Sequence, residues 1–446
     1  MMQTLDGPKT PRMLRMIKFI TQPLEYLEDY QQRYGDIFQV GQAPSIVYVG
    51  HPDAIQQIFN APAEQFHTGG GGGILLKLLG ENSVLLLDGD RHQRQRKLLM
   101  PPFHGDRLRT YSQIICDTTQ QVFSQLPQNQ SFRLRPPLQE ITLRVILKAV
   151  FGLNEGERYQ RLRHLLSTLL ETFATPLSAV LIFFPQLQQD WGEWSPWGRF
   201  VRLKQQVEDL IYLEIRDRQR SGNLSGDDIL TLLISARDSE GNAMSEVELH
   251  DELMTLLVAG HETTASALCW VLYWIHHLPT VEEKLRRELN ELGDGFTPEE
   301  IAKLPYLSAV CQEALRIYPI TLMTGVRLLK SSFELMGHTL PTNTAIFPSI
   351  YMLHQRPEIY PEPKQFRPER FLERQFSPYE YLPFGGGHRR CIGSAMALLE
   401  MKRVVATVLS HWQFKQPTHR TIKPVRRGLT MAPPGNLSLV ITQKLK

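Results

Sequence analysis

The stretch that most restricts how this chain can fold is Phe384-Gly385-Gly386-Gly387-His388-Arg389-Arg390-Cys391-Ile392-Gly393, followed by an apolar, helix-favouring run over 394–409. Glycine lets backbone turn through positive φ or approach a ligand closely, and four of them crowd one cysteine here. A cysteine just ahead of a helix lies at the positive end of the macrodipole, and with Arg389 and Arg390 beside it the thiolate form is favoured. Such a thiolate, with neighbouring N–H groups free to bond its sulfur, suits axial ligation of a haem iron. A lone cysteine in a glycine turn is more often an ordinary buried one. It is the whole spacing that argues for a ligand.

A chain of 446 residues has room for one large domain or for two to three ordinary ones. With 42% hydrophobic and 21% charged residues it has the composition of a globular protein with a sizeable core. A formal charge of +3, without a basic arm or an aromatic-interleaved basic stripe, argues against a nucleic-acid partner. Cys116, Cys269, Cys311 and Cys391 lack C-x-x-C spacing, which argues against zinc, iron–sulfur and disulfide frameworks and suits a reducing compartment. Residues 1–19 carry Lys9, Arg12, Arg15 and Lys18 with no long apolar core, and the most apolar run, 177–184, is too short to cross a bilayer. These features predict a cytoplasmic chain without a transmembrane anchor, one that at most lies against a membrane. The Trp-rich segment 173–197 reads either as core packing or as an entrance lip for apolar substrates.

Periodicity predicts helices at 25–34 and 53–59, strands at 36–40 and 45–49, and helices across 106–218 broken near Pro136-Pro137, Gly152 and Pro185. Five glycines at 69–73 lack the Gly-Lys-Ser/Thr of a phosphate loop and read as a mobile loop. His92 and Arg96, four apart on a helix, can grip one anion between them, although such a run is most often a solvated basic face. Ser245 and Glu248 form a capping box that opens a helix running to His277, nearly 50 Å at about 1.5 Å per residue. Its middle, Ala259-Gly260-His261-Glu262-Thr263-Thr264, sets polar groups in an apolar helix; a threonine bonding the carbonyl four residues back is the plain explanation. More helices fill 280–318 and end in Glu313-Ala314-Leu315-Arg316, an i,i+3 pair that any helix surface can produce. Strands are predicted at 333–338 and 344–347. The tail after Gly428, with Pro433-Pro434-Gly435 ahead of 437–442, reads as a closing hairpin.

Phe-x-x-Gly-x-Arg-x-Cys-x-Gly, matched at every position, resembles the haem-binding signature of the cytochrome P-450 (haem-thiolate monooxygenase) superfamily. Four further motifs stand in family order: His92/Arg96, Ala259 to Thr264, Glu313/Arg316, and Phe366-Arg367-Pro368-Glu369-Arg370-Phe371. The resemblance spans nearly the whole chain. It implies one domain over 1–446 with no fused reductase, mainly α with small β-sheets (α+β), in which haem b (iron protoporphyrin IX) lies between the long central helix and the helix after the cysteine loop. It implies Cys391 as the iron ligand, with Phe384, Arg389 and Gly393 around it. His92 and Arg96 are implied at a propionate, with Arg327 a further candidate. Glu262 and Thr263 are implied as the proton donors of oxygen activation, and Glu313, Arg316 and Arg370 as a structural charge triad. Val258, Ala259, Ile320, Thr321, Leu322 and Met323 fall in register with the substrate pocket.

The implied reaction inserts one atom of O2 into a C–H bond of a small hydrophobic substrate: a long-chain fatty acid, an alkane or a terpenoid. The enzyme would be a monomer served by a ferredoxin or flavodoxin and its NAD(P)H reductase. Arg94, Lys97, Arg390, Lys402 and Arg403 read equally as ordinary solvated charge or as a face that steers that acidic carrier. Peroxygenases and haem-thiolate isomerases share this scaffold but typically lose the acid–threonine pair, which is intact here. A haem-based sensor would bring a signalling segment, and the sequence displays none.

Overall fold

A helix of 32 residues, Glu246–His277, runs through the middle of the molecule, and the other long helices pack around it. The computed structural model describes residues 5–41, 45–69, 73–105, 107–153, 155–172, 181–182, 184–222, 225–293, 297–417 and 421–445. Residues 42–44, the centre of the glycine run (70–72) and most of the apolar run 177–184 lie outside them. The central helix starts where the capping box predicts. The Ser245 hydroxyl accepts from the Glu248 N–H at 3.2 Å, and the Glu248 carboxylate accepts from the Ser245 N–H at 2.8 Å. It stops at Leu278, because Pro279 lacks the N–H to continue and opens the next helix, Pro279–Glu291. Being apolar on nearly every side, it is buried, against helices Arg135–Phe151, Pro196–Ser221, Pro305–Ile317 and the cysteine helix Ser394–His411.

The described strands are β1 (Ile37–Val40), β2 (Ile46–Val49), β3 (Phe66–His67), β4 (Ser131–Arg133), β5 (Arg327–Leu329), β6 (Phe333–Leu335), β7 (His338–Leu340), β8 (Ala345–Pro348), β9 (Trp412–Lys415), β10 (Val425–Arg427), β11 (Thr430–Ala432) and β12 (Ser438–Lys444). One sheet has the order β1-β2-β8-β5-β3, with β2 and β8 parallel and the other pairs antiparallel; a second has the order β4-β12-β9. β6–β7 and β10–β11 are hairpins. The large sheet has its own apolar cluster around Val47, Ile58, Phe59, Leu329 and Ile346, beside the main helical core. The fold is therefore mainly α with small sheets.

Three local expectations are corrected. Residues 333–338 do not form one strand: Met336 (φ 48°) and Gly337 (φ 81°) are both left-handed, so the chain reverses there into the β6–β7 hairpin. In the tail, the hairpin closes at Gly428 between β10 and β11, while β12 pairs with β4 and β9. Pro433-Pro434 offers no N–H to extend the β11 ladder and redirects the chain. The interruption expected near Pro136-Pro137 is present, but it holds a short strand, β4, and the prolines themselves open the next helix, Arg135–Phe151, where a missing N–H costs nothing.

The cysteine helix carries one group with a measurable pH signature. Glu400 is buried with Oε1 unpartnered, and burial pushes its carboxyl from an ordinary 4.5 up to about 8. The folded chain therefore holds a proton that the unfolded chain releases, so stability declines as pH rises from about 4.5 to about 8. Glu400→Gln should match the parent near pH 5 and be more stable, by on the order of a few kcal/mol, near pH 9. Urea unfolding at the two pH values measures this; parallel profiles for parent and variant would show that Glu400 is ionised in the fold.

Candidate functional site

The loop ahead of the cysteine helix is shaped by its glycines. Gly385 (φ 67°) and Gly387 (φ 62°) adopt left-handed backbone, and a Cβ on Gly386 would lie 2.3 Å from the ring of Phe59. These turns bring the Cys391 N–H onto the Phe384 carbonyl at 2.9 Å and leave Cys391 two residues before Gly393, the N-cap of the cysteine helix. The Gly393 N–H donates to the Cys391 sulfur. Cys269 and Cys311 are fully buried, and burial pushes both thiols up to about 12, whereas Cys391 is accessible. The thiolate expectation needs correction for the chain alone. Enclosure by protein pushes the Cys391 thiol up, outweighing the pull of Gly393, Arg96 and Arg390. Arg389 makes no contribution there, because its guanidinium turns away to the Val84 and Leu87 carbonyls and to Asp88, 2.7 Å from Oδ1. A bound metal cation reverses this balance, since a coordinating thiol is deprotonated outright.

Around this site the protein gathers three guanidinium groups and two imidazoles. His92 and Arg96 share the helix Gly89–Leu99, Arg327 opens β5, and Arg389 and His388 come from the glycine loop. His92 stands edge-on to His388 at 6.0 Å, and burial with Arg389, His388 and Arg96 nearby pushes its imidazole down to about 3. Burial and Arg389 push Arg327 down to about 10, and burial leads the lowering of Arg96. The anion among them is Asp88, which Thr68 (N–H 2.9 Å, hydroxyl 2.6 Å), the Gly69 N–H and Arg389 already occupy. Neither the His92 ring nor the Arg96 guanidinium makes a hydrogen bond among the described residues. Buried cations in excess of carboxylates are costly, so this set fits a ligand with two carboxylates of its own. An accessible cysteine nearby could supply a thiolate to a metal, so the set fits haem, which carries an iron and two carboxylates. Asp88 was missed in the sequence; nothing in its local spacing marks it.

On the central helix, the Thr263 hydroxyl donates to the Ala259 carbonyl at 2.5 Å, as anticipated for a mid-helix threonine. Glu262 Oε1 accepts from Arg135 Nη1 and from Arg427 Nε, both at 2.6 Å, and Oε2 accepts from Gln139 Nε2 at 3.0 Å. These three partners come from distant parts of the chain and were not legible beforehand. His261 points elsewhere: its ring bonds Thr142 at 2.7 Å, and burial pushes it down to about 4.

Glu313, Arg316 and Arg370 do come together. Arg316 grips Glu313 with two bonds (2.6 and 2.8 Å), Arg370 Nε adds a third at 3.1 Å, and the Arg367 N–H a fourth at 2.9 Å. The six expected pocket residues divide. Val258, Ala259, Thr321 and Met323 are at least partly accessible. Ile320 is buried in the main core, and Leu322 packs with Tyr351 and Met352 in a third apolar cluster. Burial alternates along the bent stretch 320–323. Of the expected basic face, Arg94 is spent on Asp238 (2.6 Å) and Glu248 (2.7 Å), Arg403 is buried, and Lys402 bonds the Ala302 carbonyl. Lys97 and Arg390 stay exposed.

Residues 6–440 match the family model described as Cytochrome P-450. Cytochrome P-450 135B1 of Mycobacterium tuberculosis is 33% identical over 430 residues, covering 96% of this chain and 89% of the relative. Cytochrome P-450 138 of the same species is 32% identical over 429 residues, 95% and 92% of the two chains. Among solved structures, the retinoic-acid-bound cyanobacterial CYP120A1 superposes with a TM-score of 0.85 at 25% identity, covering 99% of this chain and all of that one. The haem domain of cytochrome P-450DA gives 0.86 at 20% identity over 100% and 99% of the two chains.

Proposed function

The chain belongs to the cytochrome P-450 family and is a haem-dependent monooxygenase, and from that premise we propose that it oxidises a C–H bond of a long-chain hydrophobic substrate: a fatty acid, an alkane or a terpenoid. The observation that supports this most is the solved neighbour at 25% identity, which holds retinoic acid, a terpenoid acid. The accessible pocket candidates agree with it, since Val258, Ala259, Thr321 and Met323 carry no charge. So do the exposed apolar side chains of Leu187, Trp191 (62% exposed) and Trp194 (75% exposed), the two indoles stacked at 6.0 Å, in the segment read as an entrance lip.

When bound, haem b supplies the iron at which dioxygen is activated and from which one oxygen atom reaches the substrate. In this reading Cys391 would hold the iron through a thiolate, a more electron-rich donor than an imidazole. His92, Arg96, Arg327 and Arg389 neutralise the propionates. Thr263 and Glu262 hold and move the protons the reaction consumes. Lys97 and Arg390 offer charge to an acidic electron carrier, a ferredoxin or flavodoxin served by an NAD(P)H reductase.

A spin-state titration with retinoic acid, fatty acids of graded length and alkanes tests the substrate class, because an entering substrate displaces water from the iron. At least one series should give a saturable shift; a response confined to small polar compounds would sink the proposal. Thr263→Ala should still consume reductant while its product share falls about tenfold or more, the electrons appearing as hydrogen peroxide. Unchanged coupling in that variant would remove Thr263 from proton delivery.

A further inference from the structure

The first helix, Arg12–Thr21, is apolar on two sides. The inner side docks it: Ile20 is buried, Phe19 stands edge-on to Tyr26 at 5.3 Å, and Arg426 donates to the carbonyls of Phe19 (2.9 Å) and Ile20 (3.2 Å). An ion pair from Lys18 to Asp29 ties the same helix to the next one, Pro23–Tyr34. The outer side carries Met13, Leu14 and Ile17, which are 55%, 60% and 48% exposed. Ile17 lies four residues from Met13 and three from Leu14, so the three share one face. A surface helix ordinarily turns its polar residues outward. Here the docking contacts fix the helix so that the second apolar face stays in water.

The charge around that face says what covers it. Residues 7–22 hold Lys9, Arg12, Arg15 and Lys18 and no acid. Arg15 turns back to the Thr10 carbonyl, whereas Lys9 and Arg12 are exposed and make no hydrogen bond or ion pair among the described residues. The acids of the neighbouring helix are already matched, Glu25 by Lys423, Glu28 by Lys364 and Asp29 by Lys18. A second copy of the chain, meeting this face with the same face, would set these cations against each other. An anionic lipid surface offers phosphates to the cations and acyl chains to the apolar residues. At about 15 Å the helix is half as long as a hydrocarbon core of about 30 Å is thick, so it can lie on a bilayer but not cross it. We propose that Arg12–Thr21 is a membrane-surface helix that lies flat on an anionic bilayer, with Met13, Leu14 and Ile17 among the acyl chains and Lys9 and Arg12 at the headgroups.

Sedimentation of the full-length holoenzyme with vesicles tests this. Phosphatidylcholine vesicles containing phosphatidylserine should take the protein up, vesicles of phosphatidylcholine alone should take up much less, and high salt should reverse the binding. Lys9→Gln combined with Arg12→Gln should weaken uptake about tenfold or more. Leu14→Ser combined with Ile17→Ser should also abolish most of it, even at low salt. Both pairs face solvent, so both variants should keep the parent's carbon-monoxide spectrum and urea unfolding curve. Trp191→Ser combined with Trp194→Ser should bind as the parent does. Three results would each overturn the proposal. One is a parent that binds neither vesicle, and another is a Leu14→Ser, Ile17→Ser variant that binds like the parent. The third is a parent dimer that the same variant returns to monomer, which would make a second copy the occupant.

Discussion

Replacing Cys391 by alanine should remove the thiolate-type band from the carbon-monoxide difference spectrum of the reduced protein and reduce monooxygenation to background. No other cysteine can substitute: Cys269 and Cys311 are sealed in the core with thiols pushed up to about 12, and Cys116 lies on the helix Arg107–Ser124, away from the glycine loop. The variant should still fold, because Cys391 is accessible and its removal leaves no cavity in a packed core. It should keep some haem affinity as well, since the cluster of His92, Arg96, Arg327 and Arg389 does not depend on the sulfur. Cys391→His should give an imidazole-type spectrum from the same recess. A thiolate-type band surviving in Cys391→Ala would mean that another sulfur binds the iron and would overturn the site assignment.

The second large effect is structural. Glu313→Ala should destabilise the fold by about 3–5 kcal/mol, because it strands two buried guanidinium groups at once. Glu313 and Arg316 are 0% exposed and Arg370 is nearly so, so water cannot replace the lost carboxylate. Glu313 also accepts the Arg367 N–H, and Arg316 donates to the carbonyls of His354 and Gln365. The segment 361–371 would therefore loosen together with the ion pairs. Arg316→Lys should cost a large part of the same amount, because an ammonium cannot reproduce two parallel bonds to one carboxylate while also reaching His354. Urea unfolding measures both; a loss below about 1 kcal/mol for Glu313→Ala, the range of exposed ion pairs, would mean that the triad is dispensable for folding.

How far the fold could be read beforehand depended on how local its determinants are. The capping box at Ser245 and Glu248 and the proline at 279 bound the central helix within one turn of chain at each end, so its limits were legible to the residue. The 333–338 stretch was misjudged because alternation alone does not reveal that Met336 and Gly337 turn left-handed. The tail failed for a related reason: whether β12 pairs with β11 or with β4 and β9 depends on partners up to about three hundred residues away, and periodicity carries no information about them.

The same division holds for the site. Spacing within ten residues was enough to single out the Cys391 loop, because the glycine turns and the helix start that shape it lie next to it in the chain. Four-residue spacing paired His92 with Arg96, and three-residue spacing paired Glu313 with Arg316, since a helix sets those distances by itself. What only the packed molecule decided is where charges end. Arg389 turns from Cys391 to Asp88, Arg94 is absorbed by Asp238 and Glu248, and Glu262 lies between Arg135 and Arg427, residues 127 positions before it and 165 after. A long, flexible guanidinium takes whichever buried carboxylate the folded backbone brings within 3 Å, and chain order does not say which one that is.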